Sequence, residues 1–522
     1  MNGKKYSIQE ALRLASNYLH KSELKIAKDI YKSILSSDSS NIIALYNLGL
    51  IHFRLADYQS SINYYKKVIS LNPERIEEVY LGLSIVYKNL DDTENEVFNL
   101  QKATQKNPNY FVAFNNLGNL NRRLKNYKDA IFNYQEAIKI KKDYALAHNN
   151  LGIVWQILGD KMKSIDSYKK AVSYEPSNLE YEYNLSNLDD KNLNSNLNHK
   201  VSNIIKENQT DFRNLAFGNF LLSKFENKKK NYKDEFKYLM EGHQFYFDSN
   251  KEQFSKDLNF YFNDFPKINE KIKSNFNKEK LGLDCKIRPI FIIGLPRCGS
   301  TLVEKVIASG LKTIPVGEET GIISCEIRNY IHKAETIQID INSLKNKIIK
   351  KYKTLKLIQK KNNLIFTDKS LENFLYVDFL KIIFPNAKII NCLRNPLSSL
   401  VSTLKNNLPF LAWSHNLDNI FKYYDFYYET INRTKDCNSD LIYNLNYEEF
   451  TKNPLMESKK LFKYCELDWD PKCLEFYKRD DLTSQTMSNL QIRKAIDNNT
   501  NSKYLIYKKF FSEFQKKYSW FC

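Results

Sequence analysis

The chain has 522 residues, a length that favours two or three domains over one hydrophobic core. Its 14 Gly and 12 Pro are too few for a β-propeller or a turn-rich all-β protein, and a 42% hydrophobic content excludes a chain disordered throughout. The formal net charge of +19 has two interpretations: a lysine-rich solvated surface, or attraction to anions such as nucleic acid, nucleotide phosphates or sulfate.

Leucines recur with a period of about 34 residues in the first third of the chain. Leu48, Leu83, Leu117 and Leu151 are 35, 34 and 34 residues apart, and a Gly or Ser follows each one. A second register holds Tyr31, Tyr65, Leu100, Tyr134 and Tyr168, and a third holds Ile34, Val68, Ala103, Ala137 and Ala171. Proline, which cannot continue a helix, closes repeats at Pro73, Pro108 and Pro176.

This period, with small residues where paired helices cross, resembles the tetratricopeptide repeat (TPR). The resemblance predicts an α-solenoid over residues 1–184, with five repeats of which the first and third are degenerate. Such solenoids present a concave groove, so we expect a protein or peptide partner there. Two alternatives stay open: the array only supports the rest of the chain, or it forms a homodimer.

Residues 185–284 are predicted to be a helical linker with one more degenerate repeat. The segment SNLDDKNLNSNLNHK, residues 186–200, is rich in Asn, Ser and Asp and is typical of a loop. The segment that follows, up to about residue 246, has helical spacing of its apolar residues.

The pattern changes at residue 289. Residues 289–293 are a short apolar run that predicts a buried parallel strand, and GLPRCGST, residues 294–301, leads from it into a helical pattern. Strand, glycine loop and helix together can hold an anion on backbone N–H groups. The spacing matches G-x-x-x-x-G-K-[ST], but Ser300 stands at the lysine position. The missing lysine disfavours a kinase or NTPase and favours a donor with one 5′-phosphate-linked group and no metal.

Four segments in order resemble the sulfotransferases, in particular tyrosylprotein sulfotransferases and bacterial proteins with TPRs ahead of a sulfotransferase domain. They are PIFIIGLPRCGSTLVEKVIASG with PVGEET, then TDKSLENF, FPNAKIINCLRNPLSSLVST, and a C-terminal stretch with NYEEF and SNLQIRK. The resemblance covers about residues 287–515. It implies a P-loop-like α/β domain with a parallel sheet over residues 285–522, whose sulfuryl donor is 3′-phosphoadenosine 5′-phosphosulfate (PAPS).

The resemblance also implies where that donor binds. The phosphate loop would hold the 5′-phosphosulfate through Pro296, Arg297, Cys298, Gly299, Ser300 and Thr301. Arg394 and Ser402 would hold the 3′-phosphate, since an Arg at a strand end can fork onto a phosphate and a Ser two helical turns later can face the same ligand. Arg493 or Lys494 would add positive charge.

Sulfuryl transfer needs positively charged protein groups beside the sulfate and beside the leaving oxygen, and a base beside the acceptor. By resemblance, Glu319 is the base, Lys369 contacts the leaving oxygen, Arg297 stabilises the sulfate and Ser488 lies near the 5′-phosphosulfate. Glu318 is the alternative carboxylate, His415 is a weaker candidate base, and purely structural roles for both glutamates also stay open.

The acceptor is not determined by these residues. Gly321 and Cys325 stand where the tyrosylprotein enzymes carry arginines that hold an acidic peptide, although Arg328 follows. A hydroxyl or amine on a protein, a peptide or a saccharide is therefore expected, with protein tyrosine and saccharide hydroxyls both open. The rival functions are a P-loop kinase or NTPase and a non-catalytic TPR scaffold. A nucleic-acid partner is not expected, because the positive charge is dispersed.

Cysteine usage and the N-terminus bear on the compartment. All eight Cys lie from Cys285 onward, with no Cys-x-x-Cys pair and no Cys/His cluster at zinc-ligand spacing. The first residues lack the apolar segment of a signal peptide, and no apolar run approaches the roughly 20 residues of a membrane helix. We expect reduced thiols, a cytoplasmic protein, no metal and no transmembrane segment.

Overall fold

The computed structural model describes residues 6–207, 210–267, 286–333, 340–358, 364–437, 442–479, 481–484, 486, 489, 491–497 and 502–521. The chain divides into two compact units. One comprises Met1–Val154 with Asp166–Pro176, and the other comprises Trp155–Ile165 with Ser177–Cys522. The predicted boundaries at residues 184 and 284 stay predictions.

The first third of the chain forms consecutive helix pairs, as the five predicted repeats require. The helices are α1 (Ile8–His20), α2 (Leu24–Ser37), α3 (Ile42–Arg54), α4 (Tyr58–Ser70), α5 (Ile76–Asn89), α6 (Thr93–Lys106), α7 (Phe111–Arg123), α8 (Tyr127–Ile140), α9 (Ala145–Leu158) and α10 (Lys161–Tyr174). The first eight form four packed pairs, and α2, α4 and α6 also pack against the first helix of the next pair. The turn inside each pair contains a residue with positive φ: Ser22, Ala56, Asp91, Lys125 or Gly159.

A glycine packed on a tyrosine ring sets the helix spacing in three repeats. A Cβ on Gly118 would lie 2.4 Å from the Tyr134 ring, and the corresponding distance is 2.7 Å for Gly49 with Tyr65 and for Gly152 with Tyr168. These tyrosines are fully buried. The third repeat, predicted to be degenerate, has Ser84 and Leu100 in the same two registers.

The second unit begins with five helices. They are α11 (Leu179–Ser186), α12 (Ser195–Glu207), α13 (Phe212–Lys228), α14 (Tyr232–Ser249) and α15 (Lys251–Asn259), which runs into a π-helical turn at Phe260–Asp264. Helices α13 and α14 pack as a pair, where sequence predicted a degenerate repeat. The predicted loop 186–200 is wrong in its second half. Asn194 accepts a hydrogen bond from the Leu197 N–H at 3.0 Å and so begins α12, whose Leu197 and Val201 are buried.

A four-stranded parallel sheet is the centre of the C-terminal region. Its strands are β1 (Arg288–Gly294), β2 (Ile365–Asp368), β3 (Lys388–Leu393) and β4 (Ile442–Asn446), in the order β2-β1-β3-β4. Alternate residues of β1 enter two different hydrophobic clusters, Phe291 with Ile293 and Ile290 with Ile292. The sheet is therefore covered on both faces, which explains why β1 is an uninterrupted apolar run.

Nine helices of the described residues surround or follow this sheet. They are α16 (Ser300–Ala308), α17 (Ile322–Lys333), α18 (Ile341–Thr354), α19 (Val377–Ile383), α20 (Pro396–Leu404), α21 (Leu417–Cys437), α22 (Tyr447–Lys452), α23 (Pro454–Tyr464) and α24 (Ser512–Lys517). Because α16, α20 and α22 begin directly after β1, β3 and β4, their amino ends meet at the carboxyl edge of the sheet.

The Gly118–Tyr134 contact gives a stability prediction. Gly118→Ala should lower the free energy of unfolding, because overpacking costs about 1–3 kcal/mol whereas the gain in helix propensity is about 1 kcal/mol. Tyr134 cannot yield easily, since it is buried and its hydroxyl donates to Asn119 Oδ1 at 2.9 Å. Thermal unfolding followed by circular dichroism measures the change. Tyr134→Leu should remove the penalty of Gly118→Ala, and equal penalties in both backgrounds would contradict this account.

Candidate active site

The phosphate loop connects β1 to α16 and is shaped by Gly299. This residue has φ +93°, and a Cβ there would lie 2.1 Å from the ring of Tyr447, the first residue of α22. Gly299 is the N-cap residue of α16 and has no side chain to cap that helix. Arg297 adopts φ +66°, an uncommon conformation for a residue with a side chain. The loop is thus held in a tight curve with a helix amino end and a strained arginine beside it.

Two arginines from different strand ends meet at this loop. Arg394, after β3, donates from Nη1 to the Arg297 carbonyl oxygen at 2.8 Å, and its guanidinium lies 4.7 Å from the centre of the Tyr447 ring. Arg297 Nε donates to Ser402 Oγ on α20 at 3.1 Å. Burial, and to a smaller extent the Arg394 charge, lowers the pKa of Arg297. Arg394 Nε is buried and has no hydrogen-bond partner among the described residues. The structure therefore brings together three of the predicted donor-binding residues in a strongly cationic place.

Lys369 and the two glutamates lie at the end of β2. The Glu319 N–H donates to the Lys369 carbonyl oxygen at 3.1 Å, and the Lys369 N–H donates to the Gly317 carbonyl oxygen at 2.9 Å. Gly317 is required by close approach, because a Cβ would lie 2.2 Å from the Thr367 carbonyl oxygen. The backbone of residues 317–319 thus runs alongside β2 and places both carboxylates next to the lysine.

The two glutamates have different surroundings. Glu319 Oε1 is 2.6 Å from Lys369 Nζ, and its side chain is 45% exposed. Glu318 is buried, lies 3.8 Å from the same Nζ, and accepts a hydrogen bond from Ser484 Oγ at 2.6 Å. Of the two carboxylates, that of Glu319 is therefore the one that solvent reaches.

The charges of this cluster shift one another's ionisation. Protein surrounding the Glu319 carboxylate raises its pKa, and the Lys369 ammonium only partly opposes that rise. Burial disfavours the ammonium of Lys369, but the carboxylates of Glu319, Glu318 and Glu304 outweigh burial and raise its pKa. Lys369 therefore stays protonated, beside a carboxylate that takes up protons more readily than an ordinary glutamate.

Asp368, the last residue of β2, fixes the backbone that presents Lys369. Its carboxylate accepts hydrogen bonds from the hydroxyls of Tyr352 at 2.5 Å, Thr320 at 2.8 Å and Ser370 at 2.7 Å. Burial raises the pKa of Asp368, and these three donors oppose the rise.

The remaining predicted donor-binding residues are placed as follows. Pro296 and Ser300 are buried within the loop, and Thr301 Oγ1 is 3.5 Å from Thr486 Oγ1. The Cys298 thiol is buried, and the Cys298 N–H donates to the Leu295 carbonyl oxygen. Hydrogen bonding to the neighbouring Cys392 thiol lowers the pKa of Cys298. The Cys298 side chain is thus part of the core beneath the loop, where Ser300 also hydrogen-bonds to its thiol.

Of the three other candidates, Arg493 is bonded outside this cluster. Arg493 Nη2 donates to the Leu158 carbonyl oxygen at 3.1 Å and packs on Gly159, both of them in the same unit. Lys494 is exposed, and Ser488 lies outside the described residues.

The candidate base His415 lies in an aromatic core. Its Nδ1 is 3.0 Å from His243 Nδ1, and its ring stacks on Tyr246 and Phe254. Burial lowers the pKa of both histidines, that of His243 to about 4. This environment is that of a structural pair of neutral imidazoles.

Sequence reasoning assigned no role to Tyr447, to the neighbouring Tyr504, or to the buried pair Glu304 and Lys305. The sequence does contain a signal for Tyr447 and for the Glu304–Lys305 pair. Tyr447 follows a strand at its carboxyl end, where ligand-binding residues of parallel sheets collect. Glu304 and Lys305 interrupt an otherwise apolar helix, LVEKVIA, which predicts burial of both charges.

The fold and the site define a protein with helical repeats followed by a parallel α/β domain whose phosphate loop lacks the NTPase lysine. Residues 289–471 match the model of the sulfotransferase family. Residues 42–75 match the tetratricopeptide repeat and residues 118–159 match a TPR repeat model. The chain is therefore a TPR protein with a sulfotransferase-family domain.

Several known proteins are similar to parts of the chain. An uncharacterized protein of Aquifex aeolicus (strain VF5) is 26% identical over 326 residues, 56% of this chain and 40% of that protein. BBSome complex member BBS4 of Bos taurus is 33% identical over 90 residues, 16% of this chain and 17% of its own. The chain thus spans about two fifths and one sixth of these relatives.

The similar solved structures are TPR proteins. MamA shares 24% identity at a TM-score of 0.28, covering 31% of this chain and 94% of its own. A tetratricopeptide repeat protein from Parabacteroides merdae ATCC 43184 shares 16% identity at a TM-score of 0.33, covering 47% and 92%. Among the described residues, no helix combines the length and the apolar character needed to cross a membrane.

The Asp368 network gives a second stability prediction. Tyr352→Phe should lower the free energy of unfolding by about 2 kcal/mol, because a hydrogen bond to a charged group is lost from the interior. Tyr427→Phe is the matched control, since that buried hydroxyl donates to the neutral amide of Asn391 at 2.6 Å. Its cost should be about 1 kcal/mol. Denaturant unfolding of both variants compares them, and an equal or larger loss at Tyr427 would contradict the account.

Proposed function

We propose that this protein is a PAPS-dependent sulfotransferase acting on a hydroxyl or amine of a protein, peptide or saccharide. The observation that carries the proposal is the meeting of Arg297, Arg394 and Ser402 at the carboxyl edge of the sheet, with Lys369 and Glu319 at the end of the adjacent strand β2. The sulfotransferase-family match over residues 289–471 supports the reaction class.

The hydrogen-bond donors at this place fit an anion that carries two separate phosphate groups. Arg297 and Arg394 stand side by side, and the amino end of α16 adds backbone N–H groups. Arg394 Nε is buried without a partner among the described residues, so a ligand oxygen would satisfy it. Gly299 leaves room where any Cβ would strike Tyr447. We assign the 5′-phosphosulfate to the phosphate loop and the 3′-phosphate to Arg394 and Ser402.

The roles of the chain's own groups follow from their charge and exposure. Arg297 and Lys369 present cations to the sulfate and to the leaving phosphate oxygen, which needs stabilisation as the sulfur–oxygen bond breaks. Glu319 reaches solvent and takes the acceptor's proton as the acceptor oxygen or nitrogen bonds to sulfur. The donor supplies the SO₃ group. Ser300 in place of the phosphate-loop lysine argues against the kinase or NTPase alternative.

The acceptor side and the TPR array complete the proposal. Arg328 Nη2 is 3.7 Å from Glu372 and its guanidinium stacks over the rings of Phe260 and Tyr261, so its charge is already engaged. This gives no preference for an acidic peptide over a saccharide. We propose that the array recruits a protein partner or the acceptor itself, as TPR arrays commonly bind peptides.

Donor binding is tested first by calorimetry. We expect adenosine 3′,5′-bisphosphate, the expected product, to bind without metal, and ATP with magnesium to bind weakly or not at all. Arg394→Ala should weaken bisphosphate binding about tenfold to a hundredfold, the scale of a lost charge-assisted hydrogen bond. Arg288→Ala, at the amino end of β1, is the matched control and should leave binding unchanged. Binding of ATP alone would support the kinase alternative, and binding of neither would leave the scaffold alternative.

Turnover tests the base. With labelled PAPS and panels of tyrosine peptides and saccharides, Glu319→Gln should lose about 10²- to 10⁴-fold in turnover while keeping bisphosphate affinity. Because the base must be ionised and its pKa is raised, activity should fall as the pH drops through a value above the ordinary glutamate value of 4.5. Near-normal turnover in Glu319→Gln, or full activity down to pH 4.5, would contradict the assignment.

A further inference from the structure

Five ionisable side chains of alternating charge form a row that begins on the phosphate-loop helix α16 and ends at the solvent-exposed Glu319. They are Glu304, Lys305, Glu318, Lys369 and Glu319. Lys305 Nζ lies 3.3 Å from Glu304 Oε2 and 3.9 Å from Glu318 Oε2. Lys369 Nζ lies 3.8 Å from Glu318 Oε1 and 2.6 Å from Glu319 Oε1. The first four side chains are buried, and only Glu319 reaches water. Glu318 is thus the middle member, with a cation on either side.

A buried carboxylate is stable only where it is paired and hydrogen-bonded. Glu318 meets this requirement with two ammonium groups and two hydroxyls. Ser484 Oγ donates to its Oε1 at 2.6 Å, and Thr486 Oγ1 donates to the same oxygen at 3.4 Å. Thr486 in turn lies 3.5 Å from Thr301 on α16. One carboxylate therefore joins the end of β2, the phosphate-loop helix and a segment more than 160 residues later in the chain.

We propose that Glu318 is a positioning residue that holds Lys369 in place while Lys369 exchanges Glu319 for an anionic ligand. This inference rests on the proposed function. Lys369 is bonded to Glu319, the group that must be released to act as a base. Glu318 is a second, buried partner of the Lys369 ammonium. Lys369 therefore stays paired and in place when its bond to Glu319 breaks. Lys305 offsets the negative charge that Glu318 would otherwise impose on the anion site.

Two isosteric substitutions separate this role from a general charge effect. In Glu318→Gln, Lys369 loses one of its two close carboxylates and keeps Glu319, with Glu304 farther away, so a ligand must compete with a stronger Lys369–Glu319 ion pair. Adenosine 3′,5′-bisphosphate should then bind about tenfold more weakly, the scale of coupling between contacting charged groups. In Glu319→Gln the competing carboxylate is removed, so binding should be unchanged or tighter.

The charge control is Glu466→Gln. Glu466 pairs with Arg288 and Lys388 at the amino ends of β1 and β3, so this variant removes the same charge at the opposite edge of the sheet. It should leave bisphosphate binding unchanged. A simple loss of repulsion would tighten binding in both Glu318→Gln and Glu319→Gln. Calorimetry of the full chain that finds both variants tighter, or both unchanged, would overturn the proposal.

Hydrogen exchange supplies a readout that needs neither donor nor acceptor. Glu318→Ala removes the acceptor of Ser484 and Thr486, so amides in peptides containing these residues should exchange about tenfold faster. Glu318→Gln retains a side-chain oxygen and should keep most of the protection. Wild-type protection in Glu318→Ala, in a chain whose circular dichroism shows that it is folded, would refute the anchoring of this segment.

The two tests also distinguish this inference from the proposed function. If the wild-type chain fails to bind the bisphosphate, the proposed function fails, and the role toward Lys369 fails with it. If the wild-type chain binds it but Glu318→Gln binds equally well, the positioning role alone is wrong.

Discussion

Parallel pairing of β1 with β2 and β3 is the constraint on which the site depends. It brings the carboxyl ends of these strands to one edge, where Gly294 lies beside Cys392 and Phe291 beside Asp368. Arg297 follows β1 by three residues, whereas Lys369 and Arg394 directly follow β2 and β3. Reversing one six-residue strand would move its functional side chain roughly 20 Å, because each residue advances the chain about 3.3 Å. The direction of the strands therefore determines which side chains meet at the site, and side-chain packing then determines their contacts.

The edge carries two kinds of positive charge. Arg297 donates to Ser402 Oγ and Arg394 donates to the Arg297 carbonyl oxygen, so two permanent cations stand side by side in a place that favours an anion. Lys369 lies between two carboxylates and is neutralised in the structure described here. A ligand can therefore be held by the arginines first and compete for Lys369 afterwards. Under the proposed function, this order would link donor binding to the release of Glu319.

Much of this arrangement could be predicted from residues close in sequence. The run before the phosphate loop identified β1, and the 34-residue period identified the helix pairs. Long-range contacts could not be predicted. Ser484 meets Glu318 across 166 positions, and nothing local distinguishes that serine from others. Local composition also misled in one place, since an Asn-rich segment supplied the helix cap of α12 where only a loop was expected.

The choice between Glu318 and Glu319 shows most directly why the sequence was insufficient. Two identical neighbouring side chains can take different roles only if the backbone sends them to different environments. Glu318 forms a parallel bridge with Lys369, and Glu319 then turns to φ +49°. Along an extended strand successive side chains point to opposite faces, and the left-handed turn ends the extended run at that point. Glu318 is directed inward to Lys305 and Ser484, whereas Glu319 is directed to the solvent-facing side of Lys369. The Glu319 N–H bond to the Lys369 carbonyl oxygen holds this turn, so Lys369 contacts both the backbone and the carboxylate of Glu319.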